Sequence, residues 1–278
     1  MKQFFTFALC TLLMTNASAQ DKKVTDTLVI ISTDTIKNRS IKKATTVIQI
    51  GNLKINANDN KTTVVKETPK GKHTVSLSFV FDHFDLGFSR YIDNGSFTLS
   101  PANSFLEFEP AKTTNVGFDF FEMKYNSGNR FAFFISAGLD WNHIRLKQNI
   151  TIQKDQSTLD YQTENIEFSK NRFSSRYLRI PIGFEFNTPV QKGKYFRVVA
   201  GPELGFLLNG KVKQISEERG KEKSKDDYNF NPFRYGAHLR LAYQNTGIFA
   251  KYYFNDVFAK DQGPADFRNI SFGLTWGF

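Results

Sequence analysis

From Val75 to the C-terminus, large apolar residues alternate with small or charged ones, and this period of two limits the folds open to the chain. The last stretch shows it most plainly. Ile270, Phe272, Leu274, Trp276 and Phe278 alternate with Asn269, Ser271, Gly273, Thr275 and Gly277. Such a segment is a β-strand with one bulky apolar face and one small polar face. In a water-soluble shell the bulky face would be packed inside. In a barrel that crosses a membrane it would face lipid, with the small and polar residues in the lumen. A single strand fits both, so the remaining strands and their connections must decide.

The same pattern recurs along the chain. Phe84, Leu86 and Phe88 carry one face, while Val75, Leu77, Phe79 and Phe81 upstream have the opposite parity, which predicts a break or bulge near Asp82 and His83. Further strands are expected at Val116–Tyr125 with a slip at Phe121, Phe131–Trp141, Tyr177–Phe186, Phe196–Leu208, Phe233–Tyr243 and Ile248–Phe254. Short connections at Asn126–Asn129, Thr188–Gly193 and Asn245–Gly247 contain the Asn and Gly residues that tight turns favour. They alternate with long ones at Ile92–Pro110, Lys147–Asn171, Lys211–Asn229 and Asp261–Asp266. About eight strands joined by alternating long and short connections describe an up-and-down barrel with short periplasmic turns and long outer loops.

The minority face indicates which way the strands are turned. Arg179, Glu185, Arg197, Glu203, Arg234, Arg240 and Lys251 recur on it, among Gly117, Gly138, Gly183, Gly201, Gly205, Gly236, Gly273 and Gly277. Glycine weakens a solvent-facing strand for no gain, but in a narrow lumen it makes room for long charged neighbours. Buried charges need partners, so Arg179, Arg240 and Lys251 are expected to pair with Glu185 and Glu203. On the bulky face, Tyr125, Phe131, Tyr243, Trp276 and Phe278 would form an aromatic belt at the short-turn end, and Trp141, Phe233 and Tyr235 one at the long-loop end. The expected fold is all-β: a closed, up-and-down, antiparallel transmembrane β-barrel over 73–278. Eight strands enclose little more than their own side chains, so the lumen should be plugged and carry no diffusion pore.

The N-terminus supports this placement. Met1–Gln20 has Lys2, an apolar run from Phe4 to Met14, and small residues Ala17, Ser18 and Ala19, the pattern of an export signal over 1–19. The run is too short to span a bilayer. Residues 20–72 are polar, rich in lysine and threonine, and read as a flexible periplasmic extension. Thr46–Ile50 and Thr62–Lys66 are β-prone, and Asn58-Asp59-Asn60 between them could turn a small hairpin. The single cysteine, Cys10, lies within the signal, so the mature chain would have no disulfide, thiolate nucleophile or cysteine-bound metal. His73, His83, His143 and His238 show no ligand spacing, and no metal or cofactor site is expected. A net charge of +10 would suggest nucleic acid in a cytosolic protein. In an exported chain the charge is expected on the loops and the N-terminal extension, near the acidic headgroups of outer-membrane lipid. The mixed-charge Lys211–Lys225 run reads most simply as a solvated loop, with contact to lipopolysaccharide phosphates or a surface partner as the alternative.

A hydrolase on the barrel would need a nucleophile, a histidine and an acid together at neighbouring strand ends. His143, Ser174, Ser175 and Asp140 are the nearest set, no hydrolase motif is matched, and no catalytic residue is assigned. The segments F-F-E at Phe120–Glu122, G-L-D-W-N at Gly138–Asn142 and Y-L-R-I-P-I at Tyr177–Ile182 resemble the outer-membrane β-barrel domain proteins common in Bacteroidetes, in particular the PorT-like barrels. T-V-I-Q-I-G-N-L-K-I at Thr46–Ile55 is similar to the leader that often precedes them. The expected role is that of a structural or accessory outer-membrane protein with no enzymatic activity, and the resemblance carries over no catalytic residue. Alternatively, it implies a component of a secretion or gliding apparatus that docks on a periplasmic or machinery partner through its extension or loops.

Overall fold

The structure, a computed structural model, describes residues 29–32, 46–50, 53–58, 61–66, 73–80, 83–128, 130–191 and 194–277. The export signal expected over 1–19 and the belt residue Phe278 lie outside the described residues. In chain order the strands are β1 (Val29–Ser32), β2 (Thr46–Ile50), β3 (Leu53–Asn58), β4 (Lys61–Lys66), β5 (His73–Val80), β6 (Phe84–Asp93), β7 (Thr114–Ser127) and β8 (Phe131–Arg145). There follow β9 (Ile150–Ile152), β10 (Tyr161–Thr163), β11 (Lys170–Gln191), β12 (Lys194–Ser216), β13 (Gly220–Asp226), β14 (Phe233–Tyr243), β15 (Thr246–Tyr253) and β16 (Phe267–Trp276).

The order β6-β16-β15-β14-β12-β11-β8-β7 closes on itself through β6 and β7, giving a ring of 8 antiparallel strands. Where β6 pairs with β16, Gly87 stands opposite Gly273, and a Cβ on either would collide with the backbone of the other strand. β5 pairs with the lower part of β7 (Leu77 opposite Met123) and β6 with its upper part (Phe84 opposite Phe118). Together they form one wall strand, broken next to His83 where the parity of the sequence changes. The slip read at Phe121 is a β-bulge between Asp119 and Phe121. A second bulge, at Arg176/Tyr177, was not expected. There the β11–β12 pairing skips Leu208, so Asn209, which unbroken alternation would turn into the lumen, faces outward with Lys211 and Lys213.

Two expectations for the less regular parts are corrected. β2 pairs with β3 instead of β4, and β1 to β5 run as an antiparallel meander. Leu53–Asn58 is strand although its Lys and Asn residues have low β-propensity, which is why it was silent in the sequence. The Lys211–Asn229 segment, read as a solvated loop, continues β12 to Ser216 and returns as β13. β11 and β12, of 22 and 23 residues, are at least twice as long as the ~9–11 residues that cross a bilayer, so this hairpin stands well clear of the apolar band.

At the long-loop end the barrel is closed by an apolar core. Tyr91, Ile144, Phe173, Val212 and Phe267 point inward from the upper strand ends and meet loop residues including Leu106, Ile150, Tyr228, Phe230 and Phe258. Phe173 stacks on Phe230 with centroids 4.7 Å apart, and Tyr91 lies 4.5 Å from Phe267. The isolated bridges Phe108–Leu146 and Phe230–Phe258 tie the loops to one another.

Candidate functional site

Strand alternation carries every charged minority residue of the barrel's middle into the lumen. Arg179 is 0% exposed, and Asp85, Asp119, Asp140, Glu203, Arg234, Arg240 and Lys251 are buried with it. The bulky face is turned out: Phe184 is 64% exposed and Phe272 45%. The positive and negative charges of this layer balance. Two glycines shape it. A Cβ on Gly117 would lie 2.5 Å from Arg179 Nη1, and one on Gly205 would lie 2.7 Å from Arg234 Nε.

The pairing differs from the one expected. Arg179 donates from Nη1 to Asp85 Oδ2 at 2.6 Å and from Nε to Asp119 Oδ1 at 2.7 Å. Arg240 Nη2 reaches Asp85 Oδ2 at 3.0 Å, and Lys251 Nζ lies 2.9 Å from the same oxygen and 3.1 Å from Asp140 Oδ1. Arg234 donates to Asp140 Oδ2 at 2.5 Å and lies between the rings of Tyr177 and Tyr253, 3.9 and 4.1 Å from their centroids. Glu203 accepts from the Tyr253 hydroxyl at 2.5 Å. Glu185 lies nearer the short-turn end, with Lys124 at 2.6 Å and Arg197 at 3.2 Å. The aspartates win because they lie at the same height as the cations. Their signal was present in the sequence: Asp85, Asp119 and Asp140 each hold an inward position in an otherwise apolar strand.

Aromatic residues lie at both ends of the ring. Tyr125 and Tyr243 are exposed next to the short turns, and Trp276 lies there against Phe84 at 6.0 Å. Trp141 is outward at the opposite end and stacks on Phe118 at 5.9 Å. A closed ring with an apolar outside, a charged inside and aromatic ends is the arrangement that hydrocarbon demands, because no strand edge is left unpaired. Residues 72–277 match the family described as outer membrane protein beta-barrel domain.

The chain belongs to that family. No curated protein matches it. As an outer-membrane barrel, the protein places its bulky face against lipid and its charge layer in the lumen.

The residues nearest to a hydrolytic set do not assemble on this barrel. His143 Nδ1 lies 3.0 Å from Ser174 Oγ on the outer face. Asp140 and Ser175 point inward, and Asp140 is held by Arg234 and Lys251. His238 is also inward and buried beside Arg240. Among the described residues no three His, Cys, Asp or Glu side chains converge as metal ligands.

Of the surface above Trp141, sequence reading named only the Lys211–Lys225 run and missed the residues of β8 and β11 beside it. His143 and Arg145 on β8, Lys170, Arg172, Ser174 and Arg176 on β11, Lys211 and Lys213 on β12, and Lys221, Lys223 and Lys225 on β13 share the outward face. Arg145 is neutralised by Glu109, 3.5 Å away. Lys112 donates to Glu109 and, with Arg145, holds that loop carboxyl below the usual range. The unexpected bulge creates this face, since without it the lysines of β12 would point into the cap.

Proposed function

We propose that the protein is a non-conducting, non-enzymatic accessory barrel of the outer membrane. Its long loops lie outside. Its short turns lie in the periplasm, as does the 20–72 segment after the 1–19 signal is removed. The supporting observation is the filling of the lumen, where a balanced layer around Asp85, Arg179 and Lys251 lies beneath an apolar cap centred on Phe173. A water-filled channel would leave those ions solvated and unpaired, and a porin needs more strands to enclose one. The purified full chain in a planar lipid bilayer should give no current steps of porin size. Steps of that size would refute the reading.

A second reading makes the protein a PorT-like component of a secretion or gliding apparatus. The favouring observation is the β1–β5 meander, which continues the barrel sheet into the N-terminal segment; among the described residues β1 pairs only with β2. A partner strand could add to its other edge. Mild cross-linking in cells followed by purification should then recover a reproducible periplasmic partner, and its loss when residues 20–66 are deleted would locate the contact.

A further inference from the structure

The outward face of β8, β11, β12 and β13 concentrates positive charge in a way that folding alone does not explain. Lys211 stands directly opposite Lys225, and Lys213 opposite both Lys223 and Arg172. Like charges opposite one another weaken a sheet, so this register carries a cost that an anion would remove. Among the described residues, none of Arg172, Arg176, Lys211, Lys213, Lys223 and Lys225 has an ion-pair partner. The Nε atoms of Arg172 and Arg176 are moreover buried without a hydrogen-bond partner.

The height of the face identifies the occupant. Arg176 is paired with Trp141, and one step lower Leu178 is paired with Leu139 and Phe206. The outward surface therefore changes from apolar to basic within about one residue pair of the aromatic belt, where headgroups begin. An open groove of about 340 Å³ lies at this boundary, lined by Trp141, His143, Arg172, Ser174, Arg176 and Lys211. It presents guanidinium, ammonium and hydroxyl donors above an apolar wall. Arginine forks and lysine point charges are the side chains that bind phosphate, and the apolar wall beneath suits acyl chains.

We infer that this face binds the phosphate-bearing headgroups of outer-leaflet lipid, with acyl chains lying against Leu139, Leu178 and Phe206. The inference rests on the orientation proposed above, in which the long-loop end faces outward. An acidic protein would match the charge but would not use the apolar wall. Ser174 and His143 add hydrogen-bonding capacity to the groove, and no carboxylate completes a hydrolytic set with them.

The test uses the full chain in mild detergent with bisphosphorylated lipid A as the probe, bound lipid being read by native mass spectrometry. Parent protein should retain it. Arg172→Gln with Lys211→Gln should weaken retention roughly tenfold or more, the scale of losing charge-assisted hydrogen bonds. Lys154→Gln, in an exposed pair with Asp155, serves as the control and should change nothing. Dephosphorylated lipid A should bind as weakly as the double variant does. Millimolar inorganic phosphate should compete poorly, because it lacks the chains; full competition would make the site one for free phosphate and overturn the lipid assignment. Equal retention of the phosphorylated and dephosphorylated forms would overturn it as well. Orientation is read separately, by labelling a Glu218→Cys variant on intact cells with a membrane-impermeant reagent. Failure to label would overturn the orientation and this inference together, whereas labelled protein that holds no lipid A would overturn this inference alone.

Discussion

Asp85 is the hub of the lumen layer, and neutralising it should destabilise the barrel by a predictable amount. One oxygen, Oδ2, lies 2.6 Å from Arg179 Nη1, 2.9 Å from Lys251 Nζ and 3.0 Å from Arg240 Nη2, and the side chain has essentially no access to solvent. Asp85→Asn keeps the shape and removes the charge, so the layer is left with one cation in excess. Removing one member of a buried pair costs ~3–5 kcal/mol. Asp119 still holds Arg179 at 2.7 Å and Asp140 still lies 3.1 Å from Lys251, which places the expected loss at the lower end, about 3 kcal/mol. At ~1.4 kcal/mol per tenfold, this is about two powers of ten in the folding equilibrium. Urea unfolding in lipid vesicles, read by heat-modifiable gel migration, measures it. Adding Lys251→Met to Asp85→Asn removes the excess charge and should recover at least half of the loss. A single variant within ~0.5 kcal/mol of the parent, the range of an ordinary surface change, would refute the reasoning, as would a double variant whose two losses simply add.

Two further substitutions probe the space around that layer and the cap above it. Gly117→Val should cost ~1–3 kcal/mol in the same unfolding assay, since its Cβ would press on the Arg179 guanidinium and force the network apart. Phe173→Ala removes a fully buried ring that stacks on Phe230 and Phe258, and should cost ~3–5 kcal/mol. It should also make the long loops susceptible to protease, while the folded band on the gel persists if the cap and the membrane wall are separately held.

The ring, its turns and its inside–outside sense were legible because each depends on local alternation, which lipid enforces strand by strand. Partner identity was not, because it depends on height along the barrel axis. Arg179, Glu185 and Glu203 are close in sequence, yet the oxygens that reach Arg179 belong to Asp85 and Asp119 on strands remote in the chain. Strand tilt and register set those heights, and both are properties of the closed ring. The cap was hidden for a different reason. Leu106, Ile150, Ile152 and Phe258 are scattered apolar residues in segments that look polar on average, and only closure of the barrel beneath them gives them a common surface to cover.

The bulge beside Leu208 joins these two kinds of concealment. A period-two pattern carried through without it puts Asn209, Lys211 and Lys213 inside, at the level where Phe173 and Val212 are packed. Those lysines would then lie in an apolar core without partners, at a cost of several kcal/mol each. The skipped residue exchanges the faces: Val212 enters the cap, and the lysines join Arg172 and Arg176 on the outer surface. One irregularity therefore completes the apolar seal and builds the basic face together. A deletion of Leu208 that restored simple alternation would be expected to damage both, loosening the cap and abolishing lipid A retention, whereas charge substitutions on the outer face should affect retention alone.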